Sequence, residues 1–256
     1  MMSSRGDLVT APSCLTPAVT ADWRALRTHV YEAVDGHVGE ILRLLEAGCE
    51  RSFWSCASYC AVEGGHISFL EGDPPVSCYL VLQGTFRVYG LTPRGREVTF
   101  WYSRPGQFLG LAEILTGGTR RCCAQAREAA AVLAFRREQF VEVAQVNPRL
   151  SYALAQHLAT RQRRACEAEL AVATAPVETR LARLLLLLAT ESDPTGDGTV
   201  INDRYSQQEL ADMIGASRQA TNEVLNHMRR TGLIGISKGR VIFTDRNGVR
   251  VAASNC

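Results

Sequence analysis

Ser206-Gln-Gln-Glu-Leu-Ala-Asp-Met-Ile-Gly-Ala-Ser-Arg-Gln-Ala-Thr-Asn-Glu-Val-Leu225 is the stretch that decides the fold. A serine followed three residues later by Glu209 is a capping box, each side chain satisfying the other residue's backbone N–H at a helix start. Leu210 and Ile214 give that first helix an apolar face, and Ala211 is small enough for a second helix to cross closely. Gly215 suits the left-handed turn that ends it. Ser217 caps a second helix, whose inner residues are Val224, Leu225 and Met228. Its outer face carries Arg218, Gln219, Asn222, Glu223 and Asn226, with 218, 222 and 226 stacked at four-residue intervals. Arg, Asn and Gln complement the donors and acceptors that base edges show in a DNA major groove. After Gly232, Leu233–Ser237 and Arg240–Phe243 flank Lys238-Gly239 as a β-hairpin, and Lys238 and Arg240 at its tip can reach phosphate oxygens. Cap, turn, second cap, polar face and hairpin together predict a winged helix-turn-helix. The competing reading is a small helical pair that serves protein contacts and binds no DNA.

Working outward, the 256 residues suit one large domain or two smaller ones. A composition 46% hydrophobic and 21% charged excludes a wholly disordered chain and a collagen-like repeat. The longest aliphatic run, Leu184–Ala189, is far too short to span a bilayer, and Met1–Thr10 holds no apolar core of a signal peptide. A cytoplasmic protein without membrane contact is expected. The net charge of +2 does not announce a nucleic-acid binder, but residues 200–250 carry eight basic against five acidic groups. Placement, not the global balance, points to DNA.

Upstream, the hydrophobic period changes twice. Residues 21–47 read as helices, with Leu26, Val30, Val34, Ile41, Leu42 and Leu45 at helical spacing and breaks near Gly36 and Gly39. Cys78–Leu82, Thr85–Tyr89 and Glu97–Tyr102 read as strands, and Gly72, Gly84, Gly95, Gly106 and Gly118 recur at intervals of 11 or 12. Such regular turns predict an antiparallel β-sandwich or roll. Asn147-Pro148 starts a helix running to about Ala173, with Leu150, Leu154, Leu158 and Leu170 on or near one stripe. That helix either packs on its own domain or pairs with its twin as a dimer stalk. Ser192–Gly198 is a loop.

Together these pieces resemble the Crp/Fnr family of bacterial transcription regulators. The resemblance covers residues 50–245. It is carried by Glu71-Gly-Asp-Pro74, Tyr79–Gly84, Gly95-Arg-Glu97, Pro105-Gly-Gln-Phe108, Val146-Asn-Pro148 and Gly215-Ala-Ser-Arg218. With the Ser/Pro/Thr-rich stretch over 1–20 read as a flexible tail, it implies an α+β chain: a sensor domain over 21–146 with a cyclic-nucleotide-binding-like β-roll, a dimerisation helix over 147–174, and a winged helix-turn-helix over 175–256. It implies a homodimer on a near-palindromic double-stranded site, with RNA polymerase as a further partner and no enzymatic activity. Gln207, Gln208 and Ser217 match positions that touch the DNA backbone, Arg218 a guanine reader, and Gln219 and Asn222 base-facing positions. Glu223 stands where the cyclic-AMP receptor protein has a second arginine, so that receptor's target sequence does not transfer.

The same resemblance leaves the signal open. Leu111 stands where nucleotide-responsive members hold ribose with a glutamate, and Glu113 is two residues on. Arg121 keeps the phosphate position but Cys122 replaces its serine, and Ala165 and Cys166 replace hydroxyl residues on the stalk. Cyclic AMP is therefore not the expected effector, because a buried charged ligand without polar partners is unstable. An anion on Arg120 or Arg121 is one alternative. The nine cysteines offer others, as an oxidisable thiol set or as ligands of an iron–sulfur cluster from Cys49, Cys56 and Cys60 with Cys14 or Cys78. Against the cluster, Leu133 holds the place of the family's distant ligand. Haem on His66 or His157 and a thiol-based enzyme are the remaining alternatives, and no cofactor is assigned.

Overall fold

The computed structural model describes residues 22–93, 95–190, 201, 204–237 and 239–254. The expected tail, the Ser192–Gly198 loop, Cys14 and Lys238 lie outside the described residues. The chain divides into two compact units, one holding the residues up to Glu97 with Trp101–Ala159, the other Val98–Phe100 with Thr160 onward.

Three helices open the first unit: α1 (Trp23–Ala33), α2 (Gly36–Glu46) and α3 (Glu50–Ser55). The Asp22 carboxylate caps α1 through Arg24 N at 2.9 Å, and Asp35 caps α2 through Val38 N at 2.9 Å. These caps move the expected breaks: the chain turns at Val34-Asp35, Gly36 begins α2, and Gly39 lies buried inside it. An aspartate that satisfies an orphan N–H fixes a helix start more firmly than a nearby glycine ends one.

The strands follow: β1 (Ala57–Val62), β2 (Ile67–Phe69), β3 (Ser77–Gln83), β4 (Phe86–Leu91), β5 (Glu97–Ser103) and β6 (Phe108–Leu109). After helix α4 (Leu111–Thr116) come β7 (Cys123–Ala126) and β8 (Ala130–Arg136), then α5 (Arg137–Val146) and the 27-residue α6 (Pro148–Thr174). Two four-stranded sheets, β1-β8-β3-β6 and β2-β7-β4-β5, form the roll. The five recurrent glycines all adopt positive φ, between 75° and 91°, as the turn spacing required. At Gly84 no other residue fits, because a Cβ would stand 2.7 Å from that of Ala130 and 2.8 Å from the Ala129 carbonyl.

Strand alternation explains the two cores of this unit. Tyr79 and Val81 of β3 face Phe86, Val88 and Ala124 between the sheets. Cys78, Leu80 and Leu82 face the other way, against Leu42, Phe53, Trp54 and Phe140 from the helices. Asn147 Oδ1 caps α6 through Leu150 N at 3.0 Å, and Leu150 and Leu154 are buried in the helix-side core. Farther along α6, Leu170 is 64% exposed.

The second unit adds α7 (Val177–Thr190), α8 (Gln207–Met213), α9 (Arg218–Arg230), the hairpin β9 (Ile234–Ser237) and β10 (Arg240–Phe243), and α10 (Arg246–Ser254). Its core joins Leu181, Leu185 and Leu188 of α7 to Leu210, Leu225, Met228, Phe243 and Val249.

Candidate nucleic-acid interface

The capping box at α8 is present in both directions: Ser206 Oγ accepts from Glu209 N at 3.1 Å, and Ser206 N donates to Glu209 Oε2 at 2.7 Å. Gly215 sits at φ +62°, where a Cβ would press to 3.1 Å from Val172 Cγ2. A residue that the sequence reading missed completes this turn. Arg180 of α7 donates to the carbonyl of Ile214 at 2.6 Å and to that of Gly215 at 3.1 Å. A cation on the last carbonyls of a helix satisfies orphan acceptors and complements the helix dipole.

Ser217 caps α9, its Oγ accepting from Ala220 N at 3.1 Å. Leu225 and Met228 are buried in the core as expected, and Val224, half-buried, packs against it. Thr221 takes the remaining inner place; its hydroxyl donates to Ser217 O at 3.0 Å, which makes its burial affordable. The polar side chain had hidden that position from a hydrophobic pattern.

The outer face is a linked set. Arg218, Gln219, Glu223 and Asn226 are exposed and Asn222 is half-buried. Gln207 Nε2 of α8 donates to Asn222 Oδ1 at 2.8 Å, and Asn226 Nδ2 donates to the same oxygen at 3.3 Å. Gln219 Nε2 donates to Glu223 Oε1 at 3.0 Å, and Gln208 Nε2 to Asp212 Oδ1 at 2.8 Å. The hairpin pairs Arg240 with Ser237, leaving Arg240 exposed at its tip. Asn226, Arg229, Arg230 and Ile234–Ile236 line a concavity between α9 and β9. Both arginines there are exposed, and neither stood among the expected contacts.

In the β-roll the two candidate arginines part company. Arg120 is 2% exposed, and its guanidinium donates to Gly110 O at 2.8 Å, to Ser77 O and to Glu113 Oε2 at 3.4 Å. It also lies 4.3 Å from the centre of the Phe69 ring. Arg121 is exposed and Cys122 half-buried. Because Leu111–Thr116 is helical, Glu113 turns away from Leu111, which is buried. The four sensor candidates do not form one ligand-facing set.

The cysteines do not converge either. Cys56 and Cys78 belong to the helix-side core and Cys60 to the core between the sheets. Burial pushes the Cys56 thiol up to about 12 and raises Cys78 as well. Burial, with Glu50 and Glu46, raises Cys49. A cluster needs thiolates pointing at one centre, and no group of three or more His, Cys, Asp or Glu among the described residues could hold a metal ion. Cys49, Cys56, Cys60 and Cys78 do not fit a cluster. His157 Nε2 accepts from Phe108 N at 3.5 Å and packs edge-on to that ring, and burial lowers the His66 imidazole. No helix among the described residues is long and apolar enough to cross a membrane.

Comparison with known proteins agrees with this geometry. Residues 60–147 match the cyclic nucleotide-binding domain family, and residues 179–251 the Crp-like helix-turn-helix domain family. The transcriptional regulator LdrP of Thermus thermophilus is 31% identical over 69% of this chain and 87% of its own. A CRP-family transcriptional regulator structure from Thermus thermophilus is 27% identical with a TM-score of 0.64, covering 77% of this chain and 97% of its own. FixK2 from Bradyrhizobium japonicum shares the fold at a TM-score of 0.68 and 19% identity, over 78% of this chain and 98% of its own. With a β-roll, a long helix and a winged helix-turn-helix in that order, the chain belongs to the Crp/Fnr family of DNA-binding transcription regulators.

Proposed function

We propose that the protein works as a homodimer on a near-palindromic double-stranded DNA site, its two α9 helices in successive major grooves and RNA polymerase as a further partner. The observation that carries this is the exposed polar face of α9, held in order by side-chain hydrogen bonds from Gln207 to Asn222 and from Gln219 to Glu223. In this reading Arg218, Gln219, Asn222 and Glu223 face base edges, while Gln207, Gln208, Ser217, Lys238 and Arg240 face the phosphate backbone. The domain plan follows: a tail over 1–20, a sensor over 21–146, a dimer helix over 147–174 and the DNA-binding domain over 175–256. Support for the dimer comes from α6, where every residue from Gln162 to Leu170 is exposed although Leu170 is large and apolar.

The effector, in this reading, is not cyclic AMP. Leu111 supplies no acceptor for a ribose, and Arg120 is turned inward onto Gly110, Ser77 and Glu113. Arg121, exposed beside the half-buried Cys122, remains the candidate for an anionic effector at the roll, while the Glu113 carboxylate is engaged by Arg120.

The test is selection of bound sequences from random DNA, followed by affinity measurements over a range of salt. Arg218→Ala lowers affinity for the selected site by about ten-fold or more and relaxes preference at its base. Arg240→Ala weakens binding to all sequences alike and reduces the salt slope by about one. An unchanged footprint with Arg218→Ala would falsify the assignment of α9 to base reading.

A further inference from the structure

The two carboxamides on the reading face differ in what their hydrogen bonds leave over. A primary amide has one oxygen and two N–H bonds, one cis and one trans to that oxygen. Adenine offers the major groove an amino donor beside the N7 acceptor, the edge that a carboxamide matches by presenting its oxygen together with its cis N–H. Gln219 gives one N–H to Glu223 Oε1 at 3.0 Å and keeps its oxygen. Both side chains are exposed, on successive turns of α9. When the trans N–H is the one given to the carboxylate, the remaining edge of Gln219 is the adenine-matching pair, and adenine reading at Gln219 rests on this arrangement.

Asn222 is the opposite case. Its Oδ1 already receives Gln207 Nε2 at 2.8 Å and Asn226 Nδ2 at 3.3 Å, which fills both lone pairs. Asn222 therefore shows the groove only donors, suited to guanine O6 and N7 or thymine O4. Arg218, one turn earlier in the same row, is also donor-only.

We propose that Glu223 is a positioning residue that sets Gln219 to read adenine, while Asn222, whose carboxamide oxygen is already taken, reads acceptor edges instead. The operator half-site then carries an adenine under Gln219, beside guanine or thymine under Arg218 and Asn222. This rests on the reading of α9 as the base-contacting helix.

The full-length protein is tested by enrichment from a DNA library with randomised half-sites, for wild type, Gln219→Ala, Glu223→Ala, Glu223→Gln and the Gln219→Ala/Glu223→Ala double variant. Glu223→Ala also removes a negative charge and raises binding to all sequences, so the readout is relative base preference at each position. Wild type is expected to prefer adenine at one position by roughly ten-fold. Gln219→Ala and Glu223→Ala each relax that same position, the double variant relaxes it no further, and Glu223→Gln keeps most of it because its carbonyl still accepts. Replacing that adenine with 7-deazaadenine, which lacks the N7 acceptor, weakens wild type but not Gln219→Ala. The proposal is overturned if the two alanine variants relax different positions, if neither relaxes an adenine, or if the deaza substitution has no effect on wild type. Should wild type enrich no sequence, or Arg218→Ala change no position, it is the base-reading role of α9 itself that fails.

Discussion

Glu46 shows what a single buried charge does in this chain. It is 3% exposed, and its carboxylate accepts from Arg27 Nε at 2.9 and 3.1 Å, Arg27 Nη2 at 2.6 Å, Tyr31 Oη at 3.0 Å and the indole N–H of Trp54. One side chain thereby ties α1, α2 and α3 together. Burial alone would raise the carboxyl, but the bonds from Arg27, Trp54 and Tyr31 outweigh it and hold Glu46 below the usual range. Burial, then the Glu46 charge, pushes the Tyr31 phenol up to about 12, so it stays a donor. Glu46→Gln should destabilise the protein by about 2 kcal/mol in urea unfolding, since an amide group would face these donors with its own N–H. Arg27 is 40% exposed, so most of that loss comes from the buried partners. A lowered carboxyl contributes fully above its unfolded value of about 4.3 and loses the contribution as pH falls through its folded value. The gap between wild type and variant should thus be constant from pH 6 to 8 and close only in acid; a gap that widened in acid would contradict the account. Nothing nearby in the sequence marks Glu46, because its partners lie 8, 15 and 19 residues away.

Elements were legible where local chemistry sets their ends. Ser206 with Glu209, Gly215, Ser217 and Asn147-Pro148 each marked a boundary that the backbone obeys, because caps and left-handed turns are decided within a few residues. Ser217→Ala removes the acceptor that holds Ala220 N, and should cost about 1 kcal/mol of stability and weaken DNA binding together. Thermal unfolding and fluorescence anisotropy measure both; a lost affinity with no change in melting would mean that the hydroxyl acts on DNA and not on the helix. The surface network was not legible. Which oxygen Gln207 approaches depends on how α8 crosses α9, and no spacing within either helix records that. The sensor stretch was only partly legible: residue order does not say which of the two adjacent arginines turns inward, and the inward course of Arg120 follows from the Gly110 and Ser77 carbonyls brought to it beside β6 and on β3.

At the scale of the molecule, α6 changes character along its length. Leu150 and Leu154 are buried against the β-roll, and Leu170 stands 64% exposed. In the proposed dimer, pairing of α6 with its twin would cover this apolar residue. Leu170→Glu should convert dimer to monomer in sedimentation equilibrium at micromolar protein and weaken binding to a two-half-site operator while each folded unit keeps its melting profile. A variant that remained dimeric would place the pairing surface elsewhere. The sequence shows such a stripe but does not tell its buried half from its exposed half, because leucine occurs in both.

β8 sets a different kind of limit. It is buried on both faces, with Ala130, Val132 and Ala134 toward the second sheet and Ala131, Leu133 and Phe135 toward the helices. No alternation of polar and apolar residues announces such a strand. Its two sides differ in volume instead: small on the side that Phe69, Tyr79 and Phe86 already fill, large where Phe53 and Phe140 wait. A slip of one position would drive Leu133 and Phe135 into the tight side and leave voids on the other. The register of the central strand is therefore kept by bulk, as a key is kept by its lock, and a methyl group in the wrong place there is felt more than a charge at the rim.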